Sequence, residues 1–307
     1  MVRRYFSIVI AVIVTALVVP RVATAQSRFQ SPRCSANSPN SPEQSKIRLA
    51  KSEGKQVFLD EVRFEGDTKL SEAELHEAAA FILHEGQSLS PDQYDELADL
   101  GRRPWQDRGY FRVEMTPTVT QLSHDSTSER YGVVLVVEAG RKYRVGQIRL
   151  GKYDAGEPAV PVEELRKLIP LQQGDVFDTS KLRSAFDAIH RRYGQSGYID
   201  STIVPDFEIN DVDGVINLTL KFDEQKQFRV TRVETLGLDT VLQSELRSAV
   251  PLGEPFNYDR VLEFIEANRS RLPQGVGPAD INVDRYWRDA TVSLTFDFQS
   301  CPQTTNR

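Results

Sequence analysis

The sequence predicts an α+β fold: three tandem β-α-α-β-β units, each with two helices packed on one face of a three-stranded sheet. A repeated spacing carries this prediction. A glycine is followed 23 residues later by a Gly-Tyr pair, and the whole pattern returns 88 residues further along the chain. A third, partial copy has the first glycine and lacks the Gly-Tyr pair. A fixed period of this kind indicates one supersecondary unit used several times. The signature positions are Gly86, Gly109, Tyr110, Gly174, Gly197, Tyr198 and Gly253.

Local signals place the elements of the first unit. Ser71 and Glu74 form a capping box at the start of a helix. Ser90-Pro91 predicts a second helix, because serine caps a helix and proline suits its first turn. Alternating apolar residues predict the strands. The predicted elements are strand 57–64, helices 71–83 and 90–109, and strands 111–121 and 131–138.

The other two units repeat this order with their own residues. In the second unit we predict strand 143–150, a helix from Pro161, a helix at 178–195, and a hairpin of strands 199–209 and 215–222. In the third we predict strand 228–236, helices 241–250 and 258–272, and strands 281–286 and 291–298.

The shared glycines have structural explanations. Gly109 and Gly197 are predicted to end the second helix in the left-handed conformation that glycine adopts most easily. Tyr110 and Tyr198 would then turn back to cover the base of the core. The other signature glycines are predicted to lie in the turn between the helices, so no signature position requires a catalytic role.

The N-terminus has the order of a cleavable secretory signal, residues 1–25. Arg3-Arg4 precede an apolar run, and Ala23-Thr24-Ala25 supplies the cleavage site. The alternative is an uncleaved membrane anchor, but the run of 14 residues at 6–19 is shorter than the roughly 20 that span a bilayer. Residues 26–55 are expected to form a flexible Ser/Pro/Asn-rich linker. The units are assigned to residues 56–140, 141–224 and 225–300, followed by a tail at 301–307.

Composition excludes several classes of function. The net charge of −6 disfavours nucleic acid, because affinity for it depends on Lys and Arg neutralising phosphates. The four histidines are scattered without metal-ligand spacing. No Gly-x-Ser-x-Gly elbow occurs either, and the carboxylate pairs Glu163-Glu164 and Asp211/Asp213 fall at a helix start and in a turn. We therefore expect no enzyme, no cofactor, no metal site and no small-molecule substrate. The two cysteines, Cys34 and Cys301, either pair with each other or remain free thiols.

The element order, with Gly-x-x-Phe at 174–177 and 253–256 and Gly-Tyr after the second helix, resembles the polypeptide-transport-associated (POTRA) domain. Val137-Glu138-Ala139-Gly140 is similar to the acidic-glycine ending of such domains. POTRA domains stand in tandem on the periplasmic side of outer-membrane insertases of the BamA and TamA type. The resemblance covers residues 56–299. Full-length members carry a C-terminal β-barrel, and no series of alternating barrel strands follows the third unit, so an array without its barrel is expected.

The resemblance implies a periplasmic scaffold that binds polypeptide during outer-membrane protein assembly or secretion. Its partners would be unfolded or β-rich outer-membrane proteins, or a separate outer-membrane β-barrel protein. The expected mechanism is β-augmentation, in which a partner strand joins an exposed sheet edge. The alternative is a signal-anchored structural protein of the cell envelope or division machinery.

Prolines predict which edge accepts a partner. Pro117 and Pro205 each lie eight residues after their Gly-Tyr glycine, and proline within a sheet is confined to edges, strand starts or bulges. The matching strand of the third unit has no proline. Its amides are all available, so we predict polypeptide docking at Ile281, Val283 and Arg285.

Overall fold

A computed structural model describes residues 51–52, 55–86, 93, 96–273, 275–277 and 280–299. The predicted signal peptide, Cys34, Cys301, the tail at 301–307 and the predicted helix start at Ser90-Pro91 lie outside the described residues.

Each unit contains the predicted sequence of elements. The first has β1 (Lys51–Ser52), β2 (Lys55–Asp67), α1 (Glu72–Gly86), α2 (Glu96–Gln106), β3 (Glu114–His124) and β4 (Ser128–Glu138). The second has β5 (Arg144–Lys152), α3 (Val162–Lys167), α4 (Thr179–Gln195), β6 (Thr202–Asn210) and β7 (Val215–Asp223). The third has β8 (Arg229–Leu236), α5 (Thr240–Ala249), α6 (Tyr258–Ala267), β9 (Ile281–Tyr286) and β10 (Thr291–Asp297).

The last strand of each unit is the centre of its sheet. The strand orders are β1-β2-β4-β3, β5-β7-β6 and β8-β10-β9. Each central strand pairs in parallel with the first long strand of its unit and antiparallel with the strand before it. The predicted α+β class is confirmed. The first sheet departs from it, because the two-residue strand β1 lies inside the segment expected to be a linker and pairs with the start of β2.

Each central strand supplies the middle of a separate hydrophobic core. In β7, Ile216, Leu218, Leu220 and Phe222 are fully buried, whereas the strands on either side are only partly buried. Alternate residues of a strand point to one face, so this row lies under the helices. Equivalent rows in β4 and β10 lie in the first and third cores.

Two of the predicted boundaries that were wrong have local explanations. The third unit's second helix was expected to reach residue 272, but it ends at Ala267. Asn268 leaves the helical conformation there, with φ of −108° and ψ of 12°, and its buried side-chain amide donates to the Phe264 carbonyl at 3.0 Å. The expected loop at 123–130 is also shorter, because Asp125 accepts hydrogen bonds from Thr127 and Ser128 in a tight turn.

Gly109 and Gly197 end their helices in a Schellman motif. The Tyr110 and Tyr198 amides donate to the carbonyls five residues earlier, both at 3.0 Å. The glycines have φ of +93° and +85°. Gly86 was expected in the helix–helix turn, but it is the buried last residue of α1. A Cβ at this position would meet Leu97 Cδ2 at 2.7 Å.

The same glycines form the joints between units. At the first joint, the Tyr143 amide donates to the Gly109 carbonyl at 2.8 Å, and the Tyr143 carbonyl accepts from the Phe177 amide at 3.0 Å. At the second joint, the Phe228 amide donates to the Gly197 carbonyl at 2.8 Å, and its carbonyl accepts from Phe256 at 2.9 Å. We call this pair of bonds the joint relay. It connects the Gly-Tyr signature of one unit to the Gly-x-x-Phe signature of the next.

An apolar side chain fills each joint beside the relay. Phe111 packs into the second core, with its ring centroid 5.2 Å from that of Phe177. Ile199, the equivalent residue 88 positions later, packs into the third core. The two joints therefore share a backbone relay and an apolar plug.

Replacing Gly197 with alanine is expected to destabilise the protein more than replacing Gly174. Both glycines have positive φ, which costs an L-residue about 1 kcal/mol. A Cβ at Gly174 has nothing within 4 Å, whereas at Gly197 it would meet the Phe228 carbonyl oxygen at 2.8 Å and push the third unit away. Urea denaturation should show a further loss of about 1 kcal/mol for Gly197→Ala. Equal losses for the two variants would contradict this account of the joint.

The capping box at Ser71 and Glu74 is expected to make stability depend on pH. The Ser71 amide and hydroxyl donate to Glu74 Oε2, both at 2.8 Å, and with Arg108 they hold the pKa of Glu74 at about 2. An unstructured Glu has a pKa of about 4.3. Because the folded-state pKa is lowered, this stabilisation is present above about pH 4.3 and is lost as the pH falls towards 2.

Glu74→Gln is the matched variant, since glutamine keeps the shape without the charge. It should be less stable than wild type at pH 7, and urea denaturation should show this difference shrinking below pH 4. A difference that is independent of pH would contradict the assignment.

Candidate functional site

The predicted docking strand β9 lies at the open edge of the third sheet. Its six residues pair with β10, and no other described strand lies on its outer side. The Ile281 and Val283 side chains are half-buried and pack against the third core. The neighbouring side chains Asn282, Asp284 and Tyr286 are exposed. One face of β9 is thus packed on the core, whereas the side chains of its other face are exposed.

Register relates β9 to the proline-bearing strand β6. Ile216 pairs with Val145 at the start of the second sheet, as Val292 pairs with Val230 in the third. Counting along the central strands from these pairs, Leu220 corresponds to Phe296. Their edge partners are Pro205 and Ile281, so Ile281 occupies the position of the proline.

This equivalence shows which backbone N–H and C=O groups of β9 point away from β10. Proline has no amide hydrogen, so Pro205 belongs to a pair whose backbone groups point away from the central strand. The same direction then applies to the equivalent Ile281 and to Val283 and Arg285, because the direction alternates along a strand. The three predicted docking residues therefore share one row of outward amides and carbonyls.

The Arg285 side chain has a second role that the sequence did not indicate. Its Nη1 lies 2.6 Å from Oδ1 of Asp200, a residue of the second unit. The Asp200 side chain is only 17% exposed, and its Oδ2 is buried without a hydrogen-bond partner. Arg285 thus offers its backbone to the outer edge while its guanidinium ties β9 to the preceding unit.

Three of the other edges are more protected. In β6, Pro205 removes one outward amide, and Asp206 and Glu208 add exposed acids. At the first strands of the second and third units, the loop before the second helix covers part of the edge. Val145 exchanges hydrogen bonds with Asp175 and Gly174, and Val230 does so with Glu254 and Gly253.

Strand β3 is an open edge that the proline argument missed. It has Pro117, but the seven residues that follow, 118–124, contain no further proline and no acidic or basic side chain apart from His124. Val119 and Leu122 are 38% and 48% exposed. The signal was present in the sequence as a long uncharged stretch, since long flat edges without charge invite strand pairing. A bulge between Gln121 and Ser123 interrupts its register.

The described residues bring together no group of three or more His, Cys, Asp or Glu side chains that would hold a metal ion. Among the helices of this part of the chain, none has the length and apolar character required to cross a membrane.

These features define a class of protein, a tandem array of β-α-α-β-β domains with open sheet edges. The sequence pattern of the POTRA family, described as a surface antigen variable number repeat, matches residues 57–140 and 143–225. Because the two matches cover more than half of the chain, the chain belongs to the POTRA family.

Two known proteins are similar to the chain over longer stretches. The outer membrane protein assembly factor BamA of Neisseria meningitidis is 23% identical over 216 residues, which cover 66% of this chain and 26% of that protein. The chain therefore matches about a quarter of that relative's length. The crystal structure of Haemophilus influenzae BamA POTRA3-5 has a TM-score of 0.54 and 20% identity, covering 80% of this chain and 96% of that one. This likeness shows the fold of the array.

Proposed function

We propose that this chain is a periplasmic scaffold that binds polypeptide during outer-membrane protein assembly or secretion, by β-augmentation at β9. The observation that carries the proposal is the row of outward backbone groups at Ile281, Val283 and Arg285, on a strand with one free side. Relatedness to an outer-membrane assembly factor supports the cellular process. The first 25 residues would direct export to the periplasm, and the units at 56–140, 141–224 and 225–300 would be the functional domains.

The chemistry of the edge suits partners of many sequences. A strand that joins β9 would bond to main-chain groups, which every partner residue carries except proline. Six residues offer only a few such bonds, and each contributes about 0.5–1.5 kcal/mol. Binding of this strength is reversible, as a scaffold that passes on unfolded or β-rich outer-membrane proteins requires. A separate outer-membrane β-barrel protein is a second partner of the same chemistry.

The anchoring of β9 favours it over a loose segment. Ile281 and Val283 pack on the third core, and Arg285 is paired with Asp200. The strand is thus ordered before a partner arrives, so less conformational entropy is lost on binding. β3 has the longer edge, but its side chains are exposed on both faces beyond Pro117. We therefore assign the docking site to β9 and test β3 beside it.

Val283→Pro is the direct test. It removes one outward amide without breaking a bond to β10, so the fold should persist in far-UV circular dichroism. Affinity for a urea-unfolded outer-membrane β-barrel protein, diluted into buffer and measured by fluorescence anisotropy, should fall about tenfold. Val283→Thr is the control, because it keeps the amide and the β-branched shape, and it should bind like wild type.

Val119→Pro removes the corresponding amide from β3. Loss of binding in this variant, with normal binding by Val283→Pro, would overturn the assignment to β9. Wild-type affinity in both proline variants would overturn β-augmentation at these edges altogether.

A further inference from the structure

The two joints carry opposite charges at the same repeat position. Arg112 and Asp200 each stand three residues after the joint glycine. Arg112 Nη1 lies 2.9 Å from Oδ2 of Asp211 in the second unit, whereas Asp200 accepts from Arg285 in the third at 2.6 Å. The cation lies on the preceding unit at the first joint and on the following unit at the second.

A second position, two residues before each joint glycine, also differs. At the first joint, Asp107 accepts from Arg183 Nη2 at 2.7 and 2.8 Å and from the Thr179 hydroxyl at 2.6 Å. At the second, the equivalent Gln195 donates its side-chain amide to Asp259 Oδ2 at 2.8 Å. The side chain at this position is therefore an acid paired with arginine at the first joint, and an amide paired with an acid at the second.

We propose that these side chains determine which unit docks on which. The joint relay and the apolar plug are shared by both joints, so they do not distinguish one neighbour from another. The charges do. If the end of the first unit met the start of the third, Asp107 would approach Asp259 and Arg112 would approach Arg285. Like charges held close together oppose docking, so the mismatched order is rejected.

Such selection is useful in a chain of similar units. Tandem domains with equivalent surfaces can dock in the wrong order or on a second copy of the chain, which is a common failure of repeat proteins. The joint surfaces of the first and second units would therefore each fit one partner, the unit that follows in the chain. We expect the stronger selection at the second joint, because Asp200 is 17% exposed whereas Arg112 and Asp211 are about half exposed.

The test transplants the end charges of one unit onto another in the full-length chain. Gln195→Asp with Asp200→Arg gives the second unit the end charges of the first. The readout is hydrogen exchange of the Phe228 and Tyr143 amides, which are bonded only when their own joint is closed. Exchange at Phe228 should accelerate about threefold or more, as expected for the loss of one ion pair and the gain of two like-charge contacts, while Tyr143 stays unchanged.

Adding Arg285→Asp and Asp259→Arg should return Phe228 exchange to the wild-type rate. Asp206→Arg is the control, because it makes the same charge change as Asp200→Arg on an exposed residue of β6 that belongs to neither joint. Unchanged exchange at Phe228 in the transplant, equal acceleration at both joints, or no rescue by the compensating changes would each overturn the proposal.

Discussion

The joint relay is the interaction on which the arrangement of the array depends. One residue, Tyr143 or Phe228, donates its amide to the carbonyl of the glycine that ends the second helix of the previous unit, and its carbonyl accepts from its own unit's helix–helix loop. The relay uses only backbone groups, so it tolerates different side chains at the two joints. Its geometry nevertheless demands glycine, because the carbonyl of Phe228 comes within 2.8 Å of where a Cβ of Gly197 would lie. The Gly-Tyr signature is therefore a joint signature as well as a helix cap.

The relay also bears on the candidate site, since it brings β9 next to the second unit. With that joint closed, Asp200 reaches Arg285 while the backbone of Arg285 stays at the outer edge. Opening the joint would break the ion pair between Asp200 and Arg285. Order of the docking strand and closure of the second joint are thus coupled. A partner strand that stiffens β9 would be expected to favour the closed joint.

Much of the fold could be predicted from sequence, because it depends on local patterns. The capping box at Ser71, the alternation around Pro205 and the glycine spacing gave the element types and the α+β class. The rest depends on contacts between distant residues. Nothing near Gly197 in sequence shows that the Phe228 carbonyl approaches it, and nothing near Arg285 shows that Asp200 is its partner. The proline rule located a blunted edge, but it overlooked β3, where the uncharged residues 118–124 lie beyond the proline.

The most direct test of the relay is detection of its hydrogen bonds by NMR in the unmodified chain. Through-hydrogen-bond scalar couplings should link the Tyr143 amide nitrogen to the Gly109 carbonyl carbon, and the Phe228 amide nitrogen to the Gly197 carbonyl carbon. Pairs within β7 and β10 provide the reference for sensitivity. We predict couplings at both joints comparable to those within the sheets. Their absence at both joints, with the sheet couplings present, would show that the units are not joined through the Gly-Tyr signature.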